Sequence, residues 1–161
     1  MKHIKTGKYR SDSKRRWLVM VDNEDYEYLN QFNWHTDKYG TVSSSFGGKG
    51  KKRMILARFL LQPKDNKEIN HIDGNRLNNQ KSNLRLATSS QNKINRGPRK
   101  DNQSGYKGVS WHNQRKKWTA RIMISGKYKH LGLFENLIEA ARSYNKAASE
   151  YYGQFAWLNK L

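Results

Sequence analysis

The sequence predicts an α+β protein. A β-rich N-terminal extension leads into a short strand–loop–strand–helix core, and a three-stranded antiparallel sheet packed on one helix follows. Three observations carry this prediction. Residues 104–134 alternate apolar and polar side chains in three runs, the period of strands with one buried face. A single stripe of Leu137, Ala140, Ala141, Tyr144, Ala147, Ala148 and Tyr151 then recurs at helical spacing. Between them and the N-terminal part lies an asparagine-rich stretch whose brief apolar runs allow only short strands around a loop.

Taken in order, Lys14 to Val21 reads as a strand with Trp17, Val19 and Val21 on one face. Asp22 is a suitable N-cap for a short helix, with Asp25 in its first turn and Tyr26, Leu29 and Phe32 at helical spacing. Thr41 to Phe46 reads as a strand and Gly47 to Gly50 as a turn. Arg53 to Leu61 is apolar and fits a strand, or a strand running into a helical turn. Leu84 and Leu86 suit a brief strand, and Thr88 to Ser90 offer caps for a helix carrying Asn92. Arg96 to Gln103 is basic and free of large apolar residues, as a linker would be. The last helix has Asn136 as N-cap, Glu139 completing a capping box, and Gly153 at its C-terminal end. The domains expected are therefore 1–95, a linker at 96–103, and 104–161.

Charge narrows the partner. The 161 residues hold 32 Lys and Arg against 13 Asp and Glu, a formal net charge of +19. Solubility asks for a magnitude of only roughly 2–8 in a small domain. A surplus of this size repels itself until a polyanion neutralises it. Five Trp, nine Tyr and five Phe argue against a disordered basic tail. No apolar run approaches the roughly 20 residues of a membrane span, and the first residues have no apolar signal core. Nucleic acid is thus the expected partner, no membrane is expected, and a cytoplasmic location follows. No feature demands a protein partner, so a monomer is expected. There is no cysteine, so any metal must sit on oxygen or imidazole ligands.

In the middle segment, Asn70-His71-Ile72-Asp73-Gly74-Asn75 is followed by Asn79, by Asn83-Leu84-Arg85 and by Asn92. A strand, a turn and a helix can bring residues so spaced together. A neutral imidazole can deprotonate water near pH 7, and amide oxygens are hard ligands suited to magnesium or manganese. Asp73 reads as a turn former. His3, His35, His112 and His130 read as structural or surface residues.

This run resembles the HNH nuclease family, whose ββα-metal core, here about 65–95, holds one divalent metal. The resemblance implies that His71 is the general base and that Asn83 braces the loop carrying it. Asn70 and Asn92 would be the metal ligands, with magnesium the expected ion and manganese the alternative. Many members carry Asp where this chain has Asn70. Magnesium is usually held by one or two carboxylates plus substrate phosphate. Two neutral ligands therefore imply weak metal binding until the scissile phosphate arrives.

In the third segment cations interleave with aromatics: Lys107, Trp111, Arg115, Lys117, Trp118, Arg121, Lys127, Tyr128 and Lys129. Alternation sets Arg121 on the face opposite Ala120 and Ile122, giving a cationic sheet able to enter a major groove. Tyr106-Lys107-Gly108-Val109, Trp118-Thr119-Ala120-Arg121-Ile122, Leu131-Gly132-Leu133-Phe134 and Gly153 to Asn159 resemble the ethylene-response-factor (apetala-type) DNA-binding domain of plants. That resemblance implies groove contacts by Lys107, Arg115, Lys117, Trp118 and Arg121, to which Lys127 and Lys129 add charge. Lys107 stands where that family typically has Arg, and an ammonium cannot make the paired contact of a guanidinium.

The combination resembles the homing endonucleases of phages and bacteria. It implies a metal-dependent enzyme that nicks or cleaves double-stranded DNA, acting in a bacterial host cell. A catalytically decayed DNA-binding regulator is the alternative, and RNA binding is a third, since a rigid sheet suits B-DNA better than A-form RNA. Binding by so cationic a chain should be steeply salt-dependent. With six to ten phosphate contacts, affinity measured by fluorescence anisotropy should fall roughly 10³–10⁵-fold between 50 and 200 mM salt.

Overall fold

A computed structural model describes residues 1–7, 17–46 and 52–161. The chain divides into two compact units, Met1–Ser89 and Ser90–Leu161. Several small antiparallel sheets and few helices make up this mixed α/β protein. Among the described residues no helix is long and apolar enough to cross a membrane.

The first unit begins with a strand, β1 (Lys2–Lys5), that sequence patterning did not single out. It pairs antiparallel with β2 (Leu18–Val21), placing Ile4 opposite Val19. The expected strand is therefore present at its C-terminal end, while Gly47–Gly50 and Lys14–Arg16 lie outside the described residues. Helix α1 (Asn23–Leu29) follows, then a three-stranded antiparallel sheet of β3 (His35–Thr36), β4 (Val42–Phe46) and β5 (Lys52–Ile55). Helix α2 (Leu56–Leu61) continues directly from β5, so Arg53 to Leu61 is a strand running into a helical turn. Strands β6 (Glu68–His71) and β7 (Leu84–Ala87) form a separate antiparallel pair.

Apolar burial explains why the extension and the later loop cohere. Ile4, Val19, Val21, Leu29, Trp34, Val42 and Leu56 form one buried cluster, and Leu77 from the β6–β7 loop packs against it. The Trp34 indole, fully enclosed, donates Nε1–H to the Leu29 carbonyl at 2.8 Å, so its polar edge costs nothing by burial. Backbone bonds join the same parts. Met20 donates to Leu77 and accepts from Asn79, each at 2.8 Å. The edge of β2 thus holds the loop as a short strand would.

One expected cap works differently. Asp22 stands at the N-cap of α1 but makes no side-chain cap bond. Its carboxylate instead accepts from the Lys81 amide at 2.8 Å and the Gln80 side chain at 3.3 Å. It serves the 3₁₀ turn Lys81–Asn83, fifty-eight and more residues away in the chain.

Helix α3 (Ser89–Ile94) starts at the last residue of the first unit, and its other residues belong to the second. Strands β8 (Val109–His112), β9 (Lys117–Ile124) and β10 (Lys127–Phe134) form the expected sheet, with β9 central. Ser125 and Gly126 both have positive φ, 48° and 81°, and join β9 to β10 as a two-residue hairpin. Helix α4 (Leu137–Tyr152) lies on the sheet, with Ala140, Ala141, Tyr144, Ala147 and Ala148 buried against Val109, Ala120 and Ile122. Four alanines let the helix approach closely. Asn136 accepts from the Ile138 and Glu139 amides, the forward half of the expected capping box, and Gly153 ends the helix at φ 52°. Tyr152 rather than Tyr151 packs into the core.

The expected linker is docked on this unit. A Cβ on Gly97 would stand 3.1 Å from the Trp157 ring. The Asn102 carboxamide donates to the Tyr106 carbonyl at 3.0 Å. Asn102 thus satisfies a backbone group, while Arg96, Arg99, Lys100, Asp101 and Gln103 are exposed.

Gly108 shows how tight the sheet–helix contact is. Its φ is +77°, and a Cβ there would lie 2.1 Å from the Tyr144 ring and 2.7 Å from the Arg121 carbonyl oxygen. Gly126 has a similar φ of +81° but open space around it. Gly126→Ala should cost only the left-handed backbone penalty, about 1–2 kcal/mol. Gly108→Ala adds overpacking of about 1–3 kcal/mol or more. Urea denaturation of the two variants should therefore rank Gly108→Ala clearly lower in stability.

Candidate active site

The β6–β7 pair sets the register of the site. Asn70 is opposite Arg85, and His71 is opposite Leu84. Strand β6 ends at His71, where the turn closes with the Gly74 amide donating to the His71 carbonyl at 3.0 Å, and Gly74 has φ 73°.

Asn83 and Asp73 tie the loop together. The Asp73 amide donates to Asn83 Oδ1 at 3.0 Å. Asn83 Nδ2 donates to Asp73 Oδ1 at 2.9 Å and to the Asn78 carbonyl at 2.8 Å. The Ile72 amide donates to the Asn83 carbonyl at 2.9 Å. Asp73 Oδ1 also accepts from the Asn75 amide at 2.8 Å, and Oδ2 accepts from Asn78 Nδ2 at 2.9 Å. The Leu77 amide then bonds Asn75 Oδ1 at 3.1 Å. These successive side-chain-to-backbone turns are what short Asn and Asp side chains form readily. Asp73 is a turn former, its carboxylate spent on the loop.

His71 is half-buried, and its Nε2 lies 3.3 Å from Asn79 Oδ1. Asn79 is enclosed at 2% exposure, and its Nδ2 donates to the Arg76 carbonyl at 3.0 Å. That bond orients the carboxamide so that oxygen faces the imidazole. This pairing suits the tautomer that protonates His71 Nε2, which would donate to the Asn79 oxygen. Burial holds the imidazole below its usual pKa, with Arg76 adding to the effect; the Asn79 bond and the Asp73 charge oppose it only in part. His71 is consequently neutral at pH 7 and able to accept a proton. Sequence reading noted Asn79 but assigned it no role. Its signal is only visible once the loop brings it across the ring.

Asn70 is 3% exposed, and its Oδ1 accepts from Arg85 Nε at 2.8 Å. The amide oxygen expected to hold a metal thus faces a guanidinium. Among the described residues no three His, Asp or Glu side chains converge as a cation site. Asn70 tied to a cation, and Asp73 consumed by its turn, do not by themselves fit a divalent ion. Asn92 lies half-buried on α3, within the second unit, whereas His71 and Asn83 belong to the first.

The sheet of the second unit sorts the expected DNA-binding residues. Register pairs Arg121 with His130, Met123 with Tyr128 and Thr119 with Leu133, all on the face away from α4. The Arg121 guanidinium lies 4.5 Å from the Tyr128 ring centroid. Lys117 is on this face too, within 3.2 Å of Glu135, and Arg115 is exposed in the β8–β9 turn. Trp118 packs toward the core, its ring 5.0 Å from that of Trp111 in an edge-to-face contact.

Three lysines fall elsewhere than expected. Lys129 pairs with Ile122 and Lys127 with Ile124, so strict alternation puts both on the helix side. Lys129 Nζ meets the Tyr151 hydroxyl at 2.6 Å. Lys107 Nζ donates to the Ile94 and Arg96 carbonyls at 2.5 and 2.7 Å, and burial pushes its pKa down to about 8. The interleaved cation–aromatic pattern did not separate one face from the other.

Comparison with known proteins bears on this site. A family model described as HNH endonuclease matches residues 62–94, from the end of α2 to the end of α3. An uncharacterized HNH endonuclease of Acanthamoeba polyphaga mimivirus is 32% identical over 146 residues, covering 89% of this chain and 75% of that protein. Protein 3.8 of Escherichia phage T7 is 40% identical over 88 residues, 55% of this chain and 72% of that protein. APETALA2-like protein 2 of Oryza sativa is 37% identical over 67 residues, which span 42% of this chain but 15% of that protein. HNH nucleases generally use a divalent metal, and these matches do not say which. With a histidine at the end of β6, an asparagine-braced loop, and a viral relative matched along most of its length, the chain belongs to the HNH endonuclease family.

Proposed function

We propose that the protein hydrolyses a phosphodiester of double-stranded DNA, with His71 as general base and the second unit as its DNA-binding module. The observation that supports this most is the state of His71. An imidazole whose pKa is held down by burial, and which Asn79 holds at the end of a strand, suits the deprotonation of an attacking water. Asn83 holds the turn that follows His71. Magnesium or manganese is the cofactor that the family suggests. Asn70 and Asn92 remain the expected ligands, although the Arg85 contact leaves Asn70 a poor one in this arrangement.

DNA binding rests on the +19 charge and on the outer face of the β8–β10 sheet. Arg121 projects from the central strand, flanked by Thr119, Tyr128 and His130, with Arg115 and Lys117 at one end. The partial similarity to APETALA2-like proteins supports an apetala-type module over 104–161. The relative from Escherichia phage T7 supports an enzyme carried by a phage and acting in its host, and we read it as homing-type from the pairing of nuclease and DNA-binding segments. A second reading has one observation in its favour. Asn70 is neutral and bonded to Arg85, as a decayed site converted to a DNA-binding regulator would allow.

Two experiments test these assignments. On supercoiled plasmid with magnesium, His71→Ala should lower the cleavage rate at least about 100-fold. The wild-type rate should rise with pH and level off. Protonated imidazole cannot accept a proton and burial lowers its pKa, so the half-maximum should fall below the usual 6.5. An inactive wild type on DNA containing its target would establish the regulator instead. Fluorescence anisotropy should separate the two faces of the sheet: Arg121→Ala weakens binding by about 1–3 kcal/mol, whereas Lys129→Ala changes it by less than about twofold.

A further inference from the structure

We propose that Lys107 is a positioning residue of the nuclease, clamping the C-terminal end of the helix that carries Asn92. This inference rests on the nuclease reading above. It assigns Lys107 a task different from the groove contact that its place in the apetala-type pattern implies.

Helix α3 has six residues, and a helix so short is not stable by itself. Its last carbonyls also lack intrahelical donors. The chain turns off with the Asn95 amide on the Gln91 carbonyl at 3.1 Å and the Arg96 amide on the Lys93 carbonyl at 3.3 Å. Lys107 Nζ then takes the carbonyls of Ile94 and Arg96 at 2.5 and 2.7 Å. A cation on the carbonyls at a helix C-terminus is favoured by both hydrogen bonding and the helix dipole. Ile94 is also where the segment matched to HNH endonucleases ends.

The lysine is held from behind. Its amide donates to Asn159 Oδ1 at 2.8 Å, and Asn159 Nδ2 donates to its carbonyl at 3.1 Å. Asn159 is in turn gripped by Asn145 of α4, with the Asn159 amide on Asn145 Oδ1 at 2.8 Å and Asn145 Nδ2 on the Asn159 carbonyl at 2.9 Å. The next residue, Gly108, is pressed on Tyr144. Hydrogen bonds therefore run without a break from the middle of α4 to the end of α3. Burying an ammonium is costly unless its donors are satisfied, and here two carbonyls take two of its three N–H groups. A groove-reading lysine has no need of that arrangement.

The test uses the full chain with Lys107→Met and Lys107→Arg. Cleavage is measured at saturating target DNA, affinity by anisotropy, and amide hydrogen exchange over residues 89–96 and over β9. Lys107→Met should cut the saturated cleavage rate about 10–100-fold, as loss of a supporting contact does, while affinity stays within about threefold. Exchange should quicken over 92–96 and not over β9, which also shows that the variant is folded. Lys107→Arg, which can still reach both carbonyls, should recover the rate to within about threefold of wild type. The proposal is overturned if Lys107→Met weakens DNA binding tenfold or more with an unchanged saturated rate, or if exchange over 92–96 is unaltered. A wild type without cleavage would sink the nuclease reading, and the exchange result would then decide the clamp by itself.

Discussion

The bonds between the Asn83 carboxamide and Asp73 are the constraint on which the histidine site depends. One side chain accepts from the Asp73 amide and donates to its carboxylate and to the Asn78 carbonyl. Hydrophobic packing cannot orient a loop of this composition, because the stretch from Asp73 to Lys81 offers Leu77 as its single apolar anchor. Polar side chains must replace it, and buried ones are tolerated only when their donors and acceptors are met. Asn79 illustrates the economy. Enclosed and bonded to Arg76, it also meets the His71 ring at Nε2.

The N-terminal extension completes this frame. β2 holds the loop from one side through Met20, and Leu77 is drawn into a core built from Ile4, Val19, Val21 and Trp34. Asp22 and the acidic first turn of α1 grip Lys81 at the start of the 3₁₀ turn that ends in Asn83. The extension is therefore structural to the site, holding the loop that Asn83 braces at Leu77–Asn79 and at Lys81.

The second unit solves a different problem, that of a small sheet with one face left to solvent. Alanines bring α4 close enough to bury Val109, Ala120 and Ile122, and the opposite face is free to carry Arg121, Thr119 and His130. The same close approach makes Gly108 obligatory and fixes the backbone from which Lys107 reaches the end of α3. Side chains rich in charge are thus divided between an outward face and internal support.

Periodicity and capping residues determined much of the secondary structure: the three strands and helix of the second unit, β4, and the β6–β7 pair with α3, while the β5–α2 run stays open between a strand and a strand entering a helical turn. They work because burial on one face imposes a period of 2 or 3.6 wherever an element is long enough to show it. Strands β1 and β3 do not reveal it, because β3 has two residues and β1 buries a single side chain, Ile4. The sequence by itself also marked His71, Asn83 and Asn70 as residues of interest, since so many amides around one histidine have few other uses. Only the tertiary structure decided what each side chain meets. Arg85 faces Asn70 through strand register, Asp22 serves a turn far along the chain, and Lys107 and Lys129 turn away from the outer face of the sheet. Those outcomes depend on which atoms a long side chain finds within reach, and that is set by long-range pairing and packing.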